Sequence, residues 1–330
     1  MRISVCIPSV RPDTLPMAVG SIMAQGFQDW ELVVVGQGDR GDDLQAAVKQ
    51  AAAGDARVRY VHAAGRGACL ARNLGTGLTT GEIVAFMDDD CEAAPDWLDE
   101  LDKAFEPSID LVSGAVTLAP KASRRIAVCP SLSPRLQTFN LPVDSLIPDS
   151  FVVLGANMAF RRRLLERVGS FDEYMGPGAI FQGGEEHDYI GRVVMAGAVL
   201  RCTPAPSVQH TYGYRYGLRS VYSYKRERIR GDAAVMAKRA MLNDPSGGNS
   251  IRSIVLSYAK KQARTVRPWR LPIASARIGI LLIGFRGCLR DFVLAIDSSK
   301  GNPSAVLHKR AQSEAKDRTG AAVITRADAS

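Results

Sequence analysis

Short apolar runs alternate with segments of helical periodicity over the first 120 residues, and this alternation limits the fold more than any other feature. Residues 31–35 form a run typical of strands buried on both faces. Further strands are predicted at residues 3–7, 58–61, 83–87 and 111–118. Helices are predicted at residues 14–25, 43–53, 67–78 and from Pro95 onward. Elements in this order predict an α/β fold with a doubly wound, mainly parallel sheet flanked by helices.

The rest of the chain divides into parts of different character. Five prolines interrupt residues 119–150, which predicts a long irregular connection, and regular patterns return between residues 151 and 210. Helical patterns follow at residues 216–243 and 251–296. We therefore predict a first domain over residues 1–212, a basic and partly amphipathic helical extension over residues 213–297, and a disordered tail over residues 298–330.

Charge separates the first part of the chain from the second. Residues 1–200 carry 18 basic and 26 acidic side chains, whereas residues 201–330 carry 24 basic and 8 acidic ones. Such asymmetry indicates a polyanionic partner, either nucleic acid or an anionic membrane surface. Arginines and tyrosines interleaved over residues 212–230 suit both partners, and they also suit an ordinary helix face. Residues 269–286 fit an interfacial helix or a packed helical hairpin.

Composition and short motifs exclude several classes of protein. No run of about 20 apolar residues exists, so no membrane-spanning helix is expected. The six cysteines form no CxxC pair and are predicted to be reduced core residues. The first residues do not form a signal peptide, so we expect a cytoplasmic protein. Neither a G-x-G-x-x-G after a strand nor a Walker-type loop is present, which argues against nicotinamide redox chemistry and P-loop hydrolysis.

Three carboxylates, Asp88, Asp89 and Asp90, directly follow the predicted strand 83–87. Carboxylates crowded at a strand end repel one another unless a cation or hydrogen bonds compensate. Oxygen ligands of this kind suit Mn²⁺ or Mg²⁺. A solvated acidic turn before the next helix is the competing interpretation.

A second acidic cluster, Glu185, Glu186 and Asp188, opens a predicted helix after two glycines. A carboxylate beside a glycine-lined opening can serve as a general base. Simple N-terminal capping is the alternative, because carboxylates in a first turn favour the helix dipole. Arg192 lies four residues after Asp188, so the two side chains can pair on one helix face.

Four segments, taken in order, give the chain a family resemblance. They are residues 4–35, the segment 67–75 with 81–90, the segment 155–161 with 169–173, and the segment 184–197. Their order and spacing resemble those of a family 2 glycosyltransferase with the GT-A fold, over about residues 3–210. The resemblance implies that residues 1–212 form a domain that binds a nucleotide sugar and carries out catalysis, with a D-x-D motif at residues 88–90.

The resemblance also implies roles on the donor side. Pro8 and Val10 would pack on the nucleobase, and Arg72 would lie near the base and phosphates. Asp88 would contact the ribose, with Asp89 assisting it or facing the solvent. The metal ligands implied are Asp90, Asp88 and His210. A satisfied structural histidine is the alternative for His210.

On the acceptor side, Glu186 matches the family's catalytic Asp. It would deprotonate an acceptor hydroxyl, which attacks the anomeric carbon with inversion. Because Glu is one methylene longer than Asp, Glu185 and Asp188 stay as competing bases. Asn157 and Gly184 match the acceptor-side segments.

A second departure from the family pattern follows the second strand. Gly36 stands where the family usually has an Asp that contacts the nucleobase. Gln37 or Asp39 could substitute, since a Gln amide offers both a donor and an acceptor. The donor is therefore left open among UDP-, GDP- and dTDP-sugars.

The function expected is thus a metal-dependent hexosyl or related transferase acting in cell-surface polysaccharide or glycolipid biosynthesis. Its acceptor would be a saccharide or a lipid-linked molecule, and the basic half would hold it peripherally on the inner membrane face. Two alternatives stay open: an inactive GT-A-like protein that binds nucleotide sugars, and a nucleic-acid binder, which is the less favoured partner class.

Overall fold

The structure is a computed structural model. It describes residues 1–119, 125–127, 132–142, 148, 151–211 and 214–241, together with short stretches at 280, 282–283, 287–288, 291–297, 304–309 and 322–324. The strands described are β1 (Ile3–Ser9), β2 (Trp30–Gln37), β3 (Val58–Ala63), β4 (Ile83–Phe86), β5 (Cys91–Ala93), β6 (Leu111–Leu118), β7 (Arg125–Ala127), β8 (Gln137–Asn140), β9 (Met158–Arg161), β10 (Val199–His210), β11 (Tyr214–Tyr216), β12 (Phe292–Asp297), β13 (Ser304–Lys309) and β14 (Ala322–Ile324). The α-helices described are α1 (Leu15–Met23), α2 (Gly41–Ala52), α3 (Ala68–Gly77), α4 (Trp97–Ala104), α5 (Leu164–Val168), α6 (Glu185–Met195) and α7 (Gly217–Met241).

The central sheet has the strand order β3-β2-β1-β4-β9-β6-β10-β5, and β8 also pairs with β10. Strands β3, β2, β1 and β4 are parallel neighbours, as the βα alternation predicts. Strand β9 is antiparallel to both β4 and β6. Strand β10 is parallel to β6 and antiparallel to β5 and β8. The sheet is therefore parallel on one side and mixed on the other.

Hydrophobic side chains of the parallel strands alternate between two core clusters. Val5 and Ile7 belong to one cluster with Trp30 and Trp97, whereas Cys6 belongs to a second cluster with residues of α6. Successive side chains of a strand point to opposite faces, so the two clusters cover the two faces of the sheet. All eight residues of β2 are buried, as expected for a strand covered on both faces.

The predicted elements of the first half agree closely with those observed. The predicted strand 111–118 coincides with β6, and each predicted helix there has a counterpart among α1 to α4. Strand β5 and helix α5 were not predicted, because runs of three and five residues carry too little periodicity. Within the proline-rich connection, β7 pairs with β11 and β8 pairs with β10.

The C-terminal part agrees with the prediction in its helical residues, which include those described at 280, 282–283, 287–288 and 291, and differs from it further on. The predicted helix at residues 216–243 is α7. Most of the predicted helix 251–296 lies outside the described residues, but its last part is β12, a strand. Strands β13 and β14 both pair with β12 and lie in the tail for which we predicted disorder. Strand β13 lies close to β12 in the chain, with Asp297 opposite Ser304, whereas β14 places Ile324 opposite Leu294. Composition alone does not reveal either pairing. Among the described residues, no helix has both the length and the apolar character needed to span a membrane.

Candidate active site

Asp89 ties the loop after β1 to the acidic cluster that follows β4. One of its carboxylate oxygens accepts hydrogen bonds from Ser9 Oγ at 2.9 Å and from the backbone N–H groups of Val10 at 3.0 Å and Arg11 at 3.2 Å. Burial raises the pKa of Asp89 to about 6, although the Arg11 guanidinium opposes this shift. Asp89 is only 2% exposed, so it does not face the solvent, and its hydrogen bonds hold the loop after β1.

Asp90 is buried between charged groups from two other parts of the chain. The guanidinium of Arg11 contacts one oxygen of Asp90 and lies 3.1 Å from Asp89. Imidazole Nε2 of His210, the last residue of β10, lies 3.3 Å from Oδ1 of Asp90. The backbone carbonyl of Asp90 accepts hydrogen bonds from the N–H of Thr211 at 2.9 Å and its hydroxyl at 2.7 Å.

A divalent cation fits this corner of the fold. Potential ligand atoms of Asp90, Cys91 and His210 all lie within 4.8 Å of one another, and all three residues are buried. Within the described residues, Oδ1 of Asp90 and Nδ1 of His210 are buried without a hydrogen-bond partner. An orphaned carboxylate oxygen beside an imidazole is a donor set that metal ions accept. Asp88, which we also predicted as a ligand, does not belong to this group, whereas Cys91 does.

Arg72 joins the donor side of the site to the acidic start of α6. It is 2% exposed, its Nη2 lies 3.4 Å from Asp88, and its guanidinium carbon lies 5.9 Å from the centre of the Phe86 ring. A Cβ added at Gly155 would lie 2.3 Å from Nη2 of Arg72, so a side chain there would displace the guanidinium. Nε and Nη1 of Arg72 are buried without a hydrogen-bond partner in the described part of the chain.

Glu186 lies on the other side of Gly155. Its Oε1 accepts a hydrogen bond from the Gly155 N–H at 3.1 Å, and its Oε2 lies 4.0 Å from Nη2 of Arg228. Burial acts to raise the pKa of Glu186, but the guanidinium groups of Arg228 and Arg72 hold this pKa below its usual value. Burial raises the pKa of the neighbouring Glu185 to about 8, and Glu186 adds to this shift. The two adjacent carboxyls therefore have opposite protonation states near neutral pH.

Asp188, the third candidate base, is held in a buried ion network. It pairs with Arg192 at 2.9 Å and with Nζ of Lys238 at 2.7 Å. Lys238 also lies 2.8 Å from Asp172. Burial acts to raise the pKa of Asp188, but Lys238 and Arg192 hold this pKa below its usual value. The network fixes α7 against α6, so Asp188 is positioned for structure.

Two glycines of the acidic motif allow α7 to approach closely. A Cβ added at Gly231 of α7 would lie 2.3 Å from the carbonyl oxygen of Gly183. A Cβ added at Gly184 would lie 2.8 Å from the carbonyl oxygen of Gly231, and Gly184 also has a φ of +84°. Gly184, predicted on the acceptor side, is therefore a point of helix contact. Glycine is required there both for its conformation and for the packing.

Two predicted residues, Asn157 and Gln37, have other partners than expected. The amide of Asn157 accepts from Trp97 Nε1 at 2.9 Å and donates to two backbone carbonyls, so it links strands and does not face an acceptor. The amide of Gln37 donates to the Gly67 carbonyl at 3.1 Å and accepts from its N–H at 3.3 Å. Both of its groups are thus used at the start of α3.

The space beside Gly36 is filled by Tyr60. A Cβ added at Gly36 would lie 2.3 Å from the Tyr60 hydroxyl, which donates to the Gly41 carbonyl at 3.0 Å. The side chain of Asp39, the other candidate substitute, points into solvent and pairs with Arg66 at 3.3 Å. Pro8 is half-buried near the end of β1, and Val10 is exposed just beyond it, as a surface that contacts a base requires.

Sequence reasoning missed Arg11, Cys91, Arg228 and Lys238. Arg11 lies in the loop after β1. The ends of β1 and β4 were both expected at the same side of the sheet, so a cation in this loop could have been predicted to meet the D-x-D motif. Cys91 immediately follows Asp90. Arg228 and Lys238 were seen only as part of a basic surface, and their partners lie more than 40 residues away in the chain.

Comparison with known proteins agrees with this geometry. The sequence profile of Glycosyl transferase family 2 matches residues 4–169. Glucosyl-dolichyl phosphate glucuronosyltransferase of Haloferax volcanii is 28% identical over 184 residues, which are 53% of this chain and 58% of that relative. Pre-mycofactocin glycosyltransferase of Mycobacterium tuberculosis is 30% identical over 154 residues, 46% of this chain and 31% of the relative. The match thus spans less than two thirds of the length of either relative.

Solved structures share the fold at low sequence identity. Mannosyltransferase PcManGT from Pyrobaculum calidifontis, in complex with GDP-Man and Mn²⁺, has a TM-score of 0.55 at 17% identity and covers 86% of this chain and 87% of its own. S. aureus TarS in complex with UDP-GlcNAc has a TM-score of 0.51 at 14% identity, covering 86% and 82%. Both are GT-A structures, so the chain has the GT-A fold. Since the profile match also includes about half of its residues, the chain belongs to glycosyl transferase family 2.

Proposed function

We propose that the chain is an inverting glycosyltransferase that moves a sugar from a nucleoside-diphosphate sugar onto an acceptor hydroxyl. The observation that carries this proposal is the position of Arg72, which contacts Asp88 on the donor side and lies against Gly155, whose N–H binds Glu186. One buried cation, with two donors that have no partner among the described residues, thus lies between the donor carboxylates and a candidate base. A diphosphate leaving group needs positive charge at this place.

Glu186 is the general base in this proposal. Its carboxylate takes the proton of the acceptor hydroxyl while that oxygen forms a bond to the anomeric carbon and the bond to the nucleoside diphosphate breaks. Arg228 and Arg72 favour the ionised form of Glu186, which a base requires. Glu185, whose pKa is about 8, is mostly protonated at neutral pH and cannot compete efficiently for the proton.

Asp90 and His210 would hold Mn²⁺ or Mg²⁺ with Cys91 adjacent. Such an ion supplies charge neutralisation to the leaving diphosphate. The mannosyltransferase with the same fold contains Mn²⁺, which supports this assignment. Pro8, Val10 and Asp88 would contact the nucleoside.

The donor nucleotide is proposed from the same neighbours. One of them binds GDP-Man and another binds UDP-GlcNAc. We therefore rank GDP- and UDP-sugars as the first candidate donors and dTDP-sugars after them. The name of one relative specifies glucosyl-dolichyl phosphate, which supports a lipid-linked or saccharide acceptor in surface polysaccharide or glycolipid assembly.

We further propose a peripheral position on the cytoplasmic face of an anionic membrane. Leu218 and Tyr222, one helical turn apart on α7, are 79% and 60% exposed. Arg219 and Lys225 are exposed beside them. Exposed apolar side chains flanked by cations suit the surface of an anionic bilayer.

A thermal-shift panel tests the proposed donor and metal. The chain is heated with UDP, GDP, dTDP or CDP, each with and without Mn²⁺. We expect one nucleotide to raise the melting temperature only when metal is present, and Asp90→Ala to abolish that rise. Stabilisation by no nucleotide would overturn the proposal. Nucleotide binding together with unchanged sugar transfer or donor hydrolysis in Glu186→Gln would reject Glu186 as the base.

Vesicle sedimentation tests the membrane proposal separately. We expect the chain to sediment with vesicles of phosphatidylglycerol and phosphatidylcholine but not with phosphatidylcholine alone. The double substitution Leu218→Ser with Tyr222→Ser is expected to weaken this binding. Salt-sensitive binding to DNA or RNA without vesicle binding would favour the nucleic-acid alternative.

A further inference from the structure

The close contact between α7 and the start of α6 places a cation of the basic extension at the candidate base. Gly231 lies against the backbone of Gly183, and Cδ of Arg228 would lie 3.1 Å from a Cβ added at Gly183. Lys238, further along α7, forms its two buried ion pairs with Asp172 and Asp188. The helix is therefore held at Gly231 and at Lys238. The side chain of Arg228 extends from α7 toward the acidic motif.

The two oxygens of Glu186 are held in different ways. Oε1 accepts the hydrogen bond from the Gly155 N–H at 3.1 Å, which fixes that side of the carboxylate. Oε2 lies 4.0 Å from Arg228, too far for a hydrogen bond but close enough for strong charge attraction. Arg228 can therefore stabilise the ionised carboxylate while Oε2 keeps lone pairs that can take a proton.

Other charged and titratable groups also surround Glu186. Arg72 and Cys69 face it from α3, Asp88 follows β4, and Glu185 and His187 belong to its own helix. Arg72 is already paired with Asp88, and the side chain of His187 is 63% exposed. Among the described residues, Arg228 is the cation that forms an ion pair with Glu186 itself.

We propose that Arg228 is a positioning residue for Glu186, fixing both the charge and the orientation of this carboxylate from outside the region that carries the family motifs. The inference rests on the proposed function of Glu186 as base. It means that the active site is incomplete without α7, because the base and the cation that positions it come from different parts of the chain.

A double-mutant cycle in stability tests this inference without any substrate. Urea unfolding of the full chain is followed across pH for the native sequence, Arg228→Gln, Glu186→Gln and the double variant. An acid whose folded pKa is lowered contributes stability above its usual value of 4.5, and the contribution is lost as the pH falls through the folded pKa. We expect Arg228→Gln to lower the urea midpoint above pH 4.5, with the difference fading below it.

In the Glu186→Gln background this pH-dependent effect of Arg228→Gln should disappear, and Arg228→Lys should restore part of the native midpoint. Arg230→Gln is the matched control, since Arg230 lies two residues along α7 and pairs with Glu227 at 3.0 Å. If Arg228→Gln lowers the urea midpoint equally at every pH, and additively with Glu186→Gln, then Arg228 contributes only packing and the inference is overturned.

A second readout follows the release of nucleoside diphosphate from GDP-mannose and UDP-GlcNAc with Mn²⁺. We expect Arg228→Gln to lower kcat roughly 10- to 100-fold and to move the acidic limb of the pH profile to higher pH, with KM little changed. A raised KM with an unmoved limb would make Arg228 a substrate contact and reject the positioning role. If no nucleoside diphosphate stabilises the native chain while the stability cycle shows coupling, the proposed function fails and the Arg228–Glu186 pairing stands.

Discussion

The edge of the sheet around Asp88–Asp90 and the interface between α6 and α7 are both rich in charge, but they hold their charges differently. At the sheet edge the side chain of Arg11, which pairs with Asp89 and Asp90, is 40% exposed. At the helix interface the side chains of Lys238 and Asp172 are 2% and 1% exposed. An exposed arginine can move when a ligand replaces it, whereas a buried pair cannot separate without a large loss of stability. The first region is therefore suited to bind, and the second to position.

The largest expected effect concerns the binding edge. Asp90→Ala removes the carboxylate whose Oδ1 lies beside His210, and we expect kcat/KM for sugar transfer to fall by at least roughly 10³-fold, or about 4 kcal/mol. Because Asp90 belongs to the edge and not to the helix interface, the urea midpoint should change far less than the activity. The exposed Asp43→Ala, which loses only its pair with Arg40, is the control. If Asp90→Ala retains activity, the sheet edge cannot be assigned to binding, and the two regions are no longer distinguished by role.

The helix interface should show the opposite pattern with Lys238→Met. The substitution leaves Asp172 and Asp188 without their shared cation, and we expect unfolding free energy to fall by about 3 to 5 kcal/mol. Lys103→Met, which breaks an exposed pair with Glu100, should lower the unfolding free energy far less. Urea unfolding measures both. Equal losses in the two variants would contradict the buried network.

These two regions also differ in how far the sequence reveals them. The parallel strands and the acidic edge could be predicted, because periodicity and a motif of adjacent residues are local features. Strand 83–87 followed by three aspartates already indicates a site at a sheet edge. The role of each aspartate could not be predicted. Asp89 and Asp90 differ only in which neighbours they meet, namely the loop after β1 and the end of β10.

The helix interface was not predictable from local pattern. Lys238 and Arg228 looked like members of a solvated basic face, since charge runs usually are. The burial of Lys238 and the partial burial of Arg228 depend on the contact between Gly183 and Gly231, which are 48 residues apart in sequence. Asn157 shows the same limit on a smaller scale: its amide could face an acceptor in the sequence, but Trp97 and two strand carbonyls use it in the fold.

A third prediction distinguishes Glu185 from Glu186, which lie where the two regions meet, by the pH dependence of stability. The pKa of Glu185 is raised to about 8 by burial, so its contribution to stability is complete below the usual 4.5 and is lost as the pH rises through about 8. Glu185→Gln should therefore be more stable than the native chain by several kcal/mol above pH 8, because each unit of pKa shift corresponds to about 1.4 kcal/mol, with no difference at low pH. The exposed Glu92→Gln should leave stability unchanged at every pH. Urea midpoints across pH provide the check, and a pH-independent effect of Glu185→Gln would contradict the assignment.

The smallest expected effect concerns the backbone contact that brings the regions together. Gly231→Ala places a Cβ 2.3 Å from the carbonyl oxygen of Gly183, so α7 must move away from α6. We expect the free energy of unfolding to fall by about 1 to 2 kcal/mol, since the higher helix propensity of Ala offsets part of the cost of the steric overlap. Gly20→Ala in α1 meets nothing within 4 Å and should be neutral or stabilising by under about 1 kcal/mol. Because the shift also draws Arg228 from Glu186, Gly231→Ala should reduce turnover more than its loss of stability explains. A variant with weakened folding but full kcat would show that α7 holds the fold without positioning the base.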